Sequence, residues 1–183
     1  MARNRRDNGL IDALEALEPI RFQGPVWRIV RAGRDPLQCS ASGGRWDDTT
    51  FDVLYTSLSK RGAVEEMRFH LMRGQPVFPS KVAYELFEFD LALNKALKFA
   101  ALEDLVQIGL KPETFGRLSY ESRGEEYPRS QQIGEVAYFL GFDGLIVPSA
   151  RSSDGNVVVF CDRVEDLGAR EISAHGPVDW SQS

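Results

Sequence analysis

Runs typical of β-strands alternate with runs typical of helices along the chain, and this order most constrains what the chain can fold into. In PVWRIVR, Val26, Arg28 and Val30 alternate with Trp27 and Ile29, which is the period of a strand. FDVLYTS and VAYELFEFDL are typical of two more strands, and DGLIVPS and NVVVF of a pair around ARSSDG. Because no repeat, low-complexity segment or linker interrupts them, the pattern predicts one mixed α/β domain.

The segments between the strands have the helical period. Apolar residues lie on one face of a short helix at 10–17, for which Asn8 is the predicted N-cap. Residues 60–73 and ALEDLVQIGLKPE predict two further helices, and SQQIGEVAYFLG predicts another with Ser130 at its cap. The segment SYESRGEEYPRS is predicted to be a polar connector.

Composition and charge exclude several classes of protein. Of 183 residues, 43% are hydrophobic and 27% charged, and no apolar run approaches the roughly 18 residues of a membrane span. The acidic residues of LIDALEALEP do not fit the apolar core of a signal peptide. The net charge of −5 opposes the phosphate attraction that drives direct nucleic-acid binding.

The cysteines and histidines carry no metal or disulfide signature. Cys39 and Cys161 lie far apart and neither has a Cys-x-x-Cys neighbour, so we predict neither a disulfide nor a zinc site, and a reducing cytosol as the location. His70 and His175 have no Cys or carboxylate at ligand spacing. The sequence also lacks a P-loop, G-x-G-x-x-G, G-x-S-x-G and H-E-x-x-H. No metal cofactor is predicted.

The stretch from Gly43 to Glu66 crowds arginine, aromatic, hydroxyl and carboxylate groups into a loop, a strand and a helix start. An arginine fork suits a phosphate, and an aromatic ring can stack on a planar heterocycle. A glutamate near a sugar can stabilise positive charge at its anomeric carbon. Together these groups suit a nucleotide whose glycosidic bond breaks. Arg28 could equally pair with a carboxylate, Tyr55 could pack in the core, and Glu66 could be solvated.

Motifs in a fixed order resemble those of the RES domain family, which is named for an Arg, a Glu and a Ser. They are W-R at 27–28, G-G-R-W at 43–46, L-Y-T-S-L-S at 54–59, A-x-x-E-x at 63–67 and G-F-D-G-L-I-V-P-S-A-R at 141–151. The resemblance implies an α+β fold like that of ADP-ribosyltransferases, with a split mixed sheet, flanking helices and NAD+ in a central cleft. It implies a tail and amphipathic helix at 1–24 and a RES domain at 25–183.

The resemblance also implies roles for individual residues. Arg28 would bind a phosphate or ribose of NAD+, with Arg31 as the fallback, and Tyr55 would stack on nicotinamide. The A-x-x-E spacing assigns the catalytic carboxylate to Glu66. Periodicity alone does not separate Glu66 from Glu65, because the two lie about 100° apart and both lie off the apolar stripe.

The family serine is assigned to Ser149, which follows a strand in V-P-S, with Ser130 as the competing candidate. Arg45 and Trp46 are expected to shape the mouth of the cleft and contact the nucleotide, although Trp46 could simply pack the loop. Many relatives have Asn where this chain has Asp47. This difference places an extra negative charge near the expected phosphate site if Asp47 points inward.

The resemblance implies a cytoplasmic toxin of a bacterial toxin–antitoxin pair that consumes NAD+ as its substrate without a metal and arrests growth. ADP-ribose would pass to a protein, to water or to phosphate. The expected partner is an antitoxin with a helix-turn-helix module, in a hetero-oligomer that supplies any contact with DNA. The alternative is an inactive module that keeps the fold and binds a nucleotide or a partner.

Overall fold

The computed structural model describes residues 6–72, 81–116, 123–167 and 171–181. Its helices are α1 (Asn8–Glu15), α2 (Lys60–Met72), α3 (Leu102–Gln107) and α4 (Arg123–Phe139). Its strands are β1 (Ile20–Arg31), β2 (Val53–Ser57), β3 (Tyr84–Lys98), β4 (Gly144–Pro148), β5 (Gly155–Phe160) and β6 (Ile172–Pro177). The α+β class predicted from the sequence is confirmed. Among the described helices, none is long and apolar enough to cross a membrane.

The sheet closes into a barrel, which corrects the predicted split sheet. Its strand order is β1-β2-β5-β4-β3, and the ring is closed because β3 also pairs with β1. All of these pairs are antiparallel except β3 with β4. Closure is possible because β3 is 15 residues long: one edge pairs with β1, and the other pairs with β6 and then with β4. Strand β6 therefore lies outside the ring.

The barrel is weakest between β1 and β2, which share a single registered pair, Trp27 with Ser57. By contrast, β1 pairs with β3 from Ile20 to Arg31 and β2 pairs with β5 along its whole length. Helix α2 packs beside this junction, where Ala63 and Val64 are buried against Ile29. A cleft can therefore open at the junction without breaking the rest of the sheet.

Besides the contact of α2 with β1, two larger apolar clusters of the described residues hold the fold together. Residues from all five ring strands fill the barrel, including Val26, Leu54 and Ile146. A second core lies between the sheet and helices α1, α3 and α4. Helix α1 buries Leu10 and Leu14 there, and its N-terminal side is tied to α4 by ion pairs from Arg6 to Glu135 and from Asp7 to Arg129. Helix α1 therefore braces α4.

Several element boundaries differ from prediction. The N-cap of α1 is Asp7, whose side chain accepts a hydrogen bond from the N–H of Leu10, whereas Asn8 was predicted. Strand β1 begins at Ile20, so the predicted boundary after residue 24 falls within this strand. Helix α4 begins at Arg123 and includes Pro128, so part of the predicted polar connector is helical. The sequence analysis did not predict β6.

The two cysteines form a disulfide, so the prediction of unpaired cysteines was wrong. Cys39 and Cys161 are 122 residues apart, with 6.5 Å between their Cα atoms. Ser40 forms a β-bridge with Val53, and Val53 also pairs with Phe160 in β5. Each cysteine thus adjoins a residue paired with the first residue of β2. This long-range strand pairing brings the two sulfurs together. The spacing of the cysteines in the sequence does not predict it.

Candidate active site

A cleft of about 390 Å³ opens beside the β1–β2 junction and is walled by α2, the G-G-R-W loop and the residues around the end of β4. Five residues expected at the site line it: Arg28, Arg45, Trp46, Tyr55 and Glu66. Arg151 and Asn156 line it as well. The strand ends and the first turns of α2 therefore bring together groups that are far apart in sequence.

Glu66 on α2 is held by two donors from the far side of the cleft. Its Oε1 accepts a hydrogen bond from the hydroxyl of Ser149 at 2.6 Å and another from the amide of Asn156 at 3.1 Å. Ser57 in turn donates to the amide oxygen of Asn156 at 3.3 Å. Both hydrogen bonds within the described chain reach Oε1, and neither involves the second oxygen of the carboxylate.

Ser149 is oriented by its own backbone neighbours. Its Oγ accepts hydrogen bonds from the N–H groups of Arg151 at 3.0 Å and Ser152 at 3.1 Å. A hydroxyl has one proton and two lone pairs, so these donors occupy the lone pairs and direct the proton toward Glu66.

The competing candidates lie elsewhere. Ser130 is fully buried in the interior of α4, where its hydroxyl donates to the carbonyl of Tyr127 at 3.0 Å. Arg31 is exposed at the end of β1. Glu65 pairs with Arg61 at 2.8 Å, one turn along the helix surface. Neither Ser130, Arg31 nor Glu65 lines the cleft. Ser149 does not line it either, but it differs from these three because it donates a hydrogen bond to the lining residue Glu66.

Tyr55 and Asp47 lock the G-G-R-W loop against β2. The hydroxyl of Tyr55 donates to Asp47 Oδ1 at 2.6 Å and accepts from the N–H of Trp46 at 2.9 Å. Asp47 is fully buried and also accepts from the N–H groups of Gly43 and Gly44 at 2.7 and 2.8 Å. Burial, and then the Asp47 charge, raise the pKa of Tyr55 well above its usual value, so the phenol stays neutral. Asp47 therefore points into the loop.

Arg45 is neutralised inside the cleft wall. It forms an ion pair with Glu126, in which the two side chains are 14% and 4% exposed. The guanidinium also lies 4.7 Å from the ring centre of Phe115 and 5.0 Å from that of Tyr127. Glu126 additionally accepts from the N–H of Gly116 at 2.6 Å. Arg45 therefore joins α4 to the G-G-R-W loop and has little charge to offer a ligand.

Arg28 carries a charge that no ion pair among the described residues balances. One terminal nitrogen donates to the carbonyl of Gln38 at 3.3 Å, while Nη1 is buried and has no hydrogen-bond partner among the described residues. Burial lowers the pKa of Arg28 to about 10, and Asp35 offsets this only in part. An anion entering the cleft would satisfy both the charge and the free donor.

The family model for the RES domain matches residues 25–181. The chain belongs to the RES domain family. Curated relatives include the NAD(+) phosphorylase MbcT of Mycobacterium bovis and that of Mycobacterium tuberculosis. Each is 23% identical over 150 residues, which cover 79% of this chain and 77% of the relative.

A solved structure resembles this RES domain across nearly its whole length. It is the M. tuberculosis MbcT–MbcA toxin–antitoxin complex, in which the matched chain has a TM-score of 0.76 at 21% identity. The match covers 96% of this chain and 94% of that chain. At this identity the likeness establishes the fold.

Two residues of this RES domain site were not assigned a role from sequence. Arg151 closes the V-P-S-A-R motif, and Asn156 is the second residue of β5. A signal existed for Arg151, since it stands two residues after the motif serine. Asn156 had no local signal, because its contact with Glu66 spans 90 residues. In the described ranges, no group of three or more His, Cys, Asp or Glu side chains could hold a metal ion.

Proposed function

We propose that this RES domain cleaves the nicotinamide–ribose bond of NAD+ and transfers ADP-ribose to inorganic phosphate. The observation that carries the proposal is the carboxylate of Glu66, held at Oε1 by Ser149 and Asn156 and left with one oxygen for a ligand. The name of the MbcT relatives, NAD(+) phosphorylase, supports the same substrate and acceptor.

Glu66 would act on the ribose. Its free oxygen accepts a hydrogen bond from a ribose hydroxyl, and its negative charge stabilises the oxocarbenium-like transition state. The carbon–nitrogen bond breaks and nicotinamide leaves with the electron pair. A phosphate oxygen then bonds to the anomeric carbon, which gives ADP-ribose 1″-phosphate.

The other cleft residues would position the dinucleotide. Tyr55, whose hydroxyl is fixed by Asp47 and Trp46, offers a rigid ring against which nicotinamide can stack. Arg28 has an unpaired donor and an unbalanced charge, which suit the pyrophosphate or ribose. Arg45 and Trp46 would shape the cleft from within its wall, since Arg45 is paired with Glu126 and Trp46 is buried in the core between the sheet and the helices. We also propose that the fold of this RES domain is related to that of the ADP-ribosyltransferases.

We propose that the protein is a cytoplasmic toxin, which arrests growth because it depletes the cell of NAD+. Its partner would be an antitoxin that binds over the cleft in a hetero-oligomer and carries a helix-turn-helix module. The structural match to a chain of a toxin–antitoxin complex supports such a partner. A net charge of −5 is consistent with DNA contact through the partner.

The decisive experiment separates the possible acceptors. Purified protein is incubated with NAD+ labelled on the adenine side, with and without phosphate, in buffer and in bacterial lysate. We expect phosphate-dependent loss of NAD+ and formation of ADP-ribose 1″-phosphate. Loss of NAD+ to free ADP-ribose at any phosphate concentration would indicate a glycohydrolase. A labelled protein band would indicate an ADP-ribosyltransferase, and intact NAD+ throughout would indicate an inactive binding module.

Replacing Arg28 by methionine should affect binding and stability in opposite directions. Met keeps much of the apolar stem and removes the charge, so we expect the KM for NAD+ to rise about tenfold or more. The melting temperature of the free protein should be unchanged or higher, because a buried charge without a partner is removed. Steady-state kinetics and thermal unfolding measure the two effects.

The control for this prediction is Arg34→Met, which removes an exposed arginine from the loop after β1. It should change neither KM nor melting temperature. A marked loss of stability in the Arg28 variant, with an unchanged KM, would show that Arg28 serves the fold instead of the ligand.

A further inference from the structure

Among the described residues, three arginines line the cleft, and they differ in how their charges are balanced. Arg45 is paired with Glu126. Neither Arg28 nor Arg151 takes part in an ion pair with the described residues. The cleft therefore has two guanidinium groups available to anions, and they belong to different walls: Arg28 to β1 and Arg151 to the loop after β4.

The protein holds the Arg151 guanidinium in place while leaving most of its donors open. Its centre lies 3.2 Å from the ring centre of Phe69 on α2, and Nη1 donates to the carbonyl of Gly116. A guanidinium has five N–H donors, and this is the one side-chain hydrogen bond of Arg151 within the described ranges. Burial lowers the pKa of Arg151, and the nearby Glu66 charge counteracts that effect.

Arg151 lies beside the carboxylate that acts on the ribose. Ser149 links the two residues, because its hydroxyl donates to Glu66 and its Oγ accepts from the Arg151 N–H. Phe69 lies three residues after Glu66 on α2, so the ring that supports the guanidinium is on the same helix as the carboxylate. The cation is thus placed by the same elements that place Glu66.

A cation at this position would favour phosphorolysis. The acceptor is an anion that must approach the anomeric carbon close to a negatively charged glutamate, and like charges repel. The two phosphates of NAD+ itself occupy a separate part of the dinucleotide and need their own partner. A water acceptor, by contrast, is neutral and needs no cation. The two arginines without an ion pair, Arg28 and Arg151, therefore match the two anionic groups of the reaction. These groups are the pyrophosphate of NAD+ and the acceptor phosphate.

We propose, on the basis of the phosphorolysis proposed above, that Arg151 binds the acceptor phosphate and so determines that phosphate, instead of water, receives ADP-ribose. The free edge of the guanidinium donates to two phosphate oxygens. A third oxygen bonds to the anomeric carbon after nicotinamide has left with the electron pair of the broken bond. The resulting phosphate monoester releases its remaining proton to solvent at neutral pH.

The test compares Arg151→Gln and Arg151→Lys with the wild type, varying phosphate and NAD+ separately. We expect Arg151→Gln to raise the KM for phosphate about 20-fold or more, while the KM for NAD+ changes by less than about 3-fold. The product should shift from ADP-ribose 1″-phosphate toward free ADP-ribose. Arg151→Lys should recover part of the phosphate affinity, because it restores the charge without the fork.

Two further variants guard against a fold defect. Phe69→Leu keeps the charge and removes the supporting ring from an exposed position, and should raise the phosphate KM several-fold. Arg61→Gln is the matched control, since its side chain on the same helix is 76% exposed, and should leave both KM values unchanged.

The outcomes separate the two proposals. If wild-type protein forms ADP-ribose 1″-phosphate and the KM for phosphate is unchanged in Arg151→Gln and Phe69→Leu, the assignment of Arg151 is overturned and the phosphorylase proposal stands. Equal rises in both KM values would likewise overturn the assignment. If the wild type releases ADP-ribose independently of phosphate, both proposals fall.

Discussion

Glu66→Gln is expected to lower kcat/KM for NAD+ cleavage by about a thousandfold. The amide keeps an oxygen that can accept from Ser149 and Asn156, so the side chain stays in place. It has lost the negative charge that stabilises the oxocarbenium-like transition state. Release of nicotinamide from NAD+ at saturating phosphate measures the effect, and the melting temperature should stay within about 3 °C of the wild type.

The neighbouring glutamate provides the matched control. Glu65→Gln removes the same charge one residue away, from a side chain that pairs with Arg61 on the helix surface. It should retain activity within about threefold. Loss of a surface ion pair changes stability little, so α2 should keep its structure and Glu66 its position. Equal loss in both variants would point to general damage to α2, and full activity in Glu66→Gln would exclude Glu66 as the catalytic carboxylate.

Reduction of the Cys39–Cys161 disulfide is expected to lower the melting temperature by about 10–20 °C. The bond links residues 122 apart, and constraining an unfolded loop of that length corresponds to about 5 kcal/mol in the chain-entropy account. Thermal unfolding with and without a thiol reductant measures the shift. Since the proposed compartment is the reducing cytoplasm, the reduced protein is the form to compare with the activity assays.

The double variant Cys39→Ser/Cys161→Ser is the control for this measurement. Its melting temperature should equal that of the reduced wild type and should not respond to reductant. Alkylation followed by mass spectrometry counts free thiols in the untreated wild type. Two alkylated cysteines before reduction, or one melting temperature under both conditions, would contradict the disulfide.

Periodicity in the sequence predicted the positions of most strands and helices. The alternation in PVWRIVR falls within β1, and the predicted helix at 60–73 agrees with α2 over Lys60–Met72. Local sequence patterns failed to predict the elements whose structure depends on contacts with residues far away in the sequence. Part of the segment SYESRGEEYPRS is helical, and Glu126 within it is bound to Arg45 and to the Gly116 amide. The exposed β6 forms by pairing with β3 and has no clear alternation of its own.

For the candidate site, the ordered motifs were enough to select Arg28, Tyr55 and Glu66, and the structure places all three around one cleft. The sequence assigned the family serine to Ser149, which follows a strand in V-P-S, and left Ser130 as a competitor because Ser130 was predicted at a helix cap. The structure separates them: Ser149 contacts Glu66, whereas Ser130 is buried within α4. Their roles in catalysis stay predictions until the variants are measured.

The sequence by itself determined the family, the α+β class and the order of the elements, because these depend on local periodicity and on motifs within short segments. Only the tertiary structure decided the closure of the barrel, the disulfide and the neighbours of Glu66. The disulfide and the hydrogen bonds of Glu66 join residues 83 to 122 positions apart, and strand pairing brings them together. A local pattern specifies which face of an element is apolar, but not which distant residue that element meets.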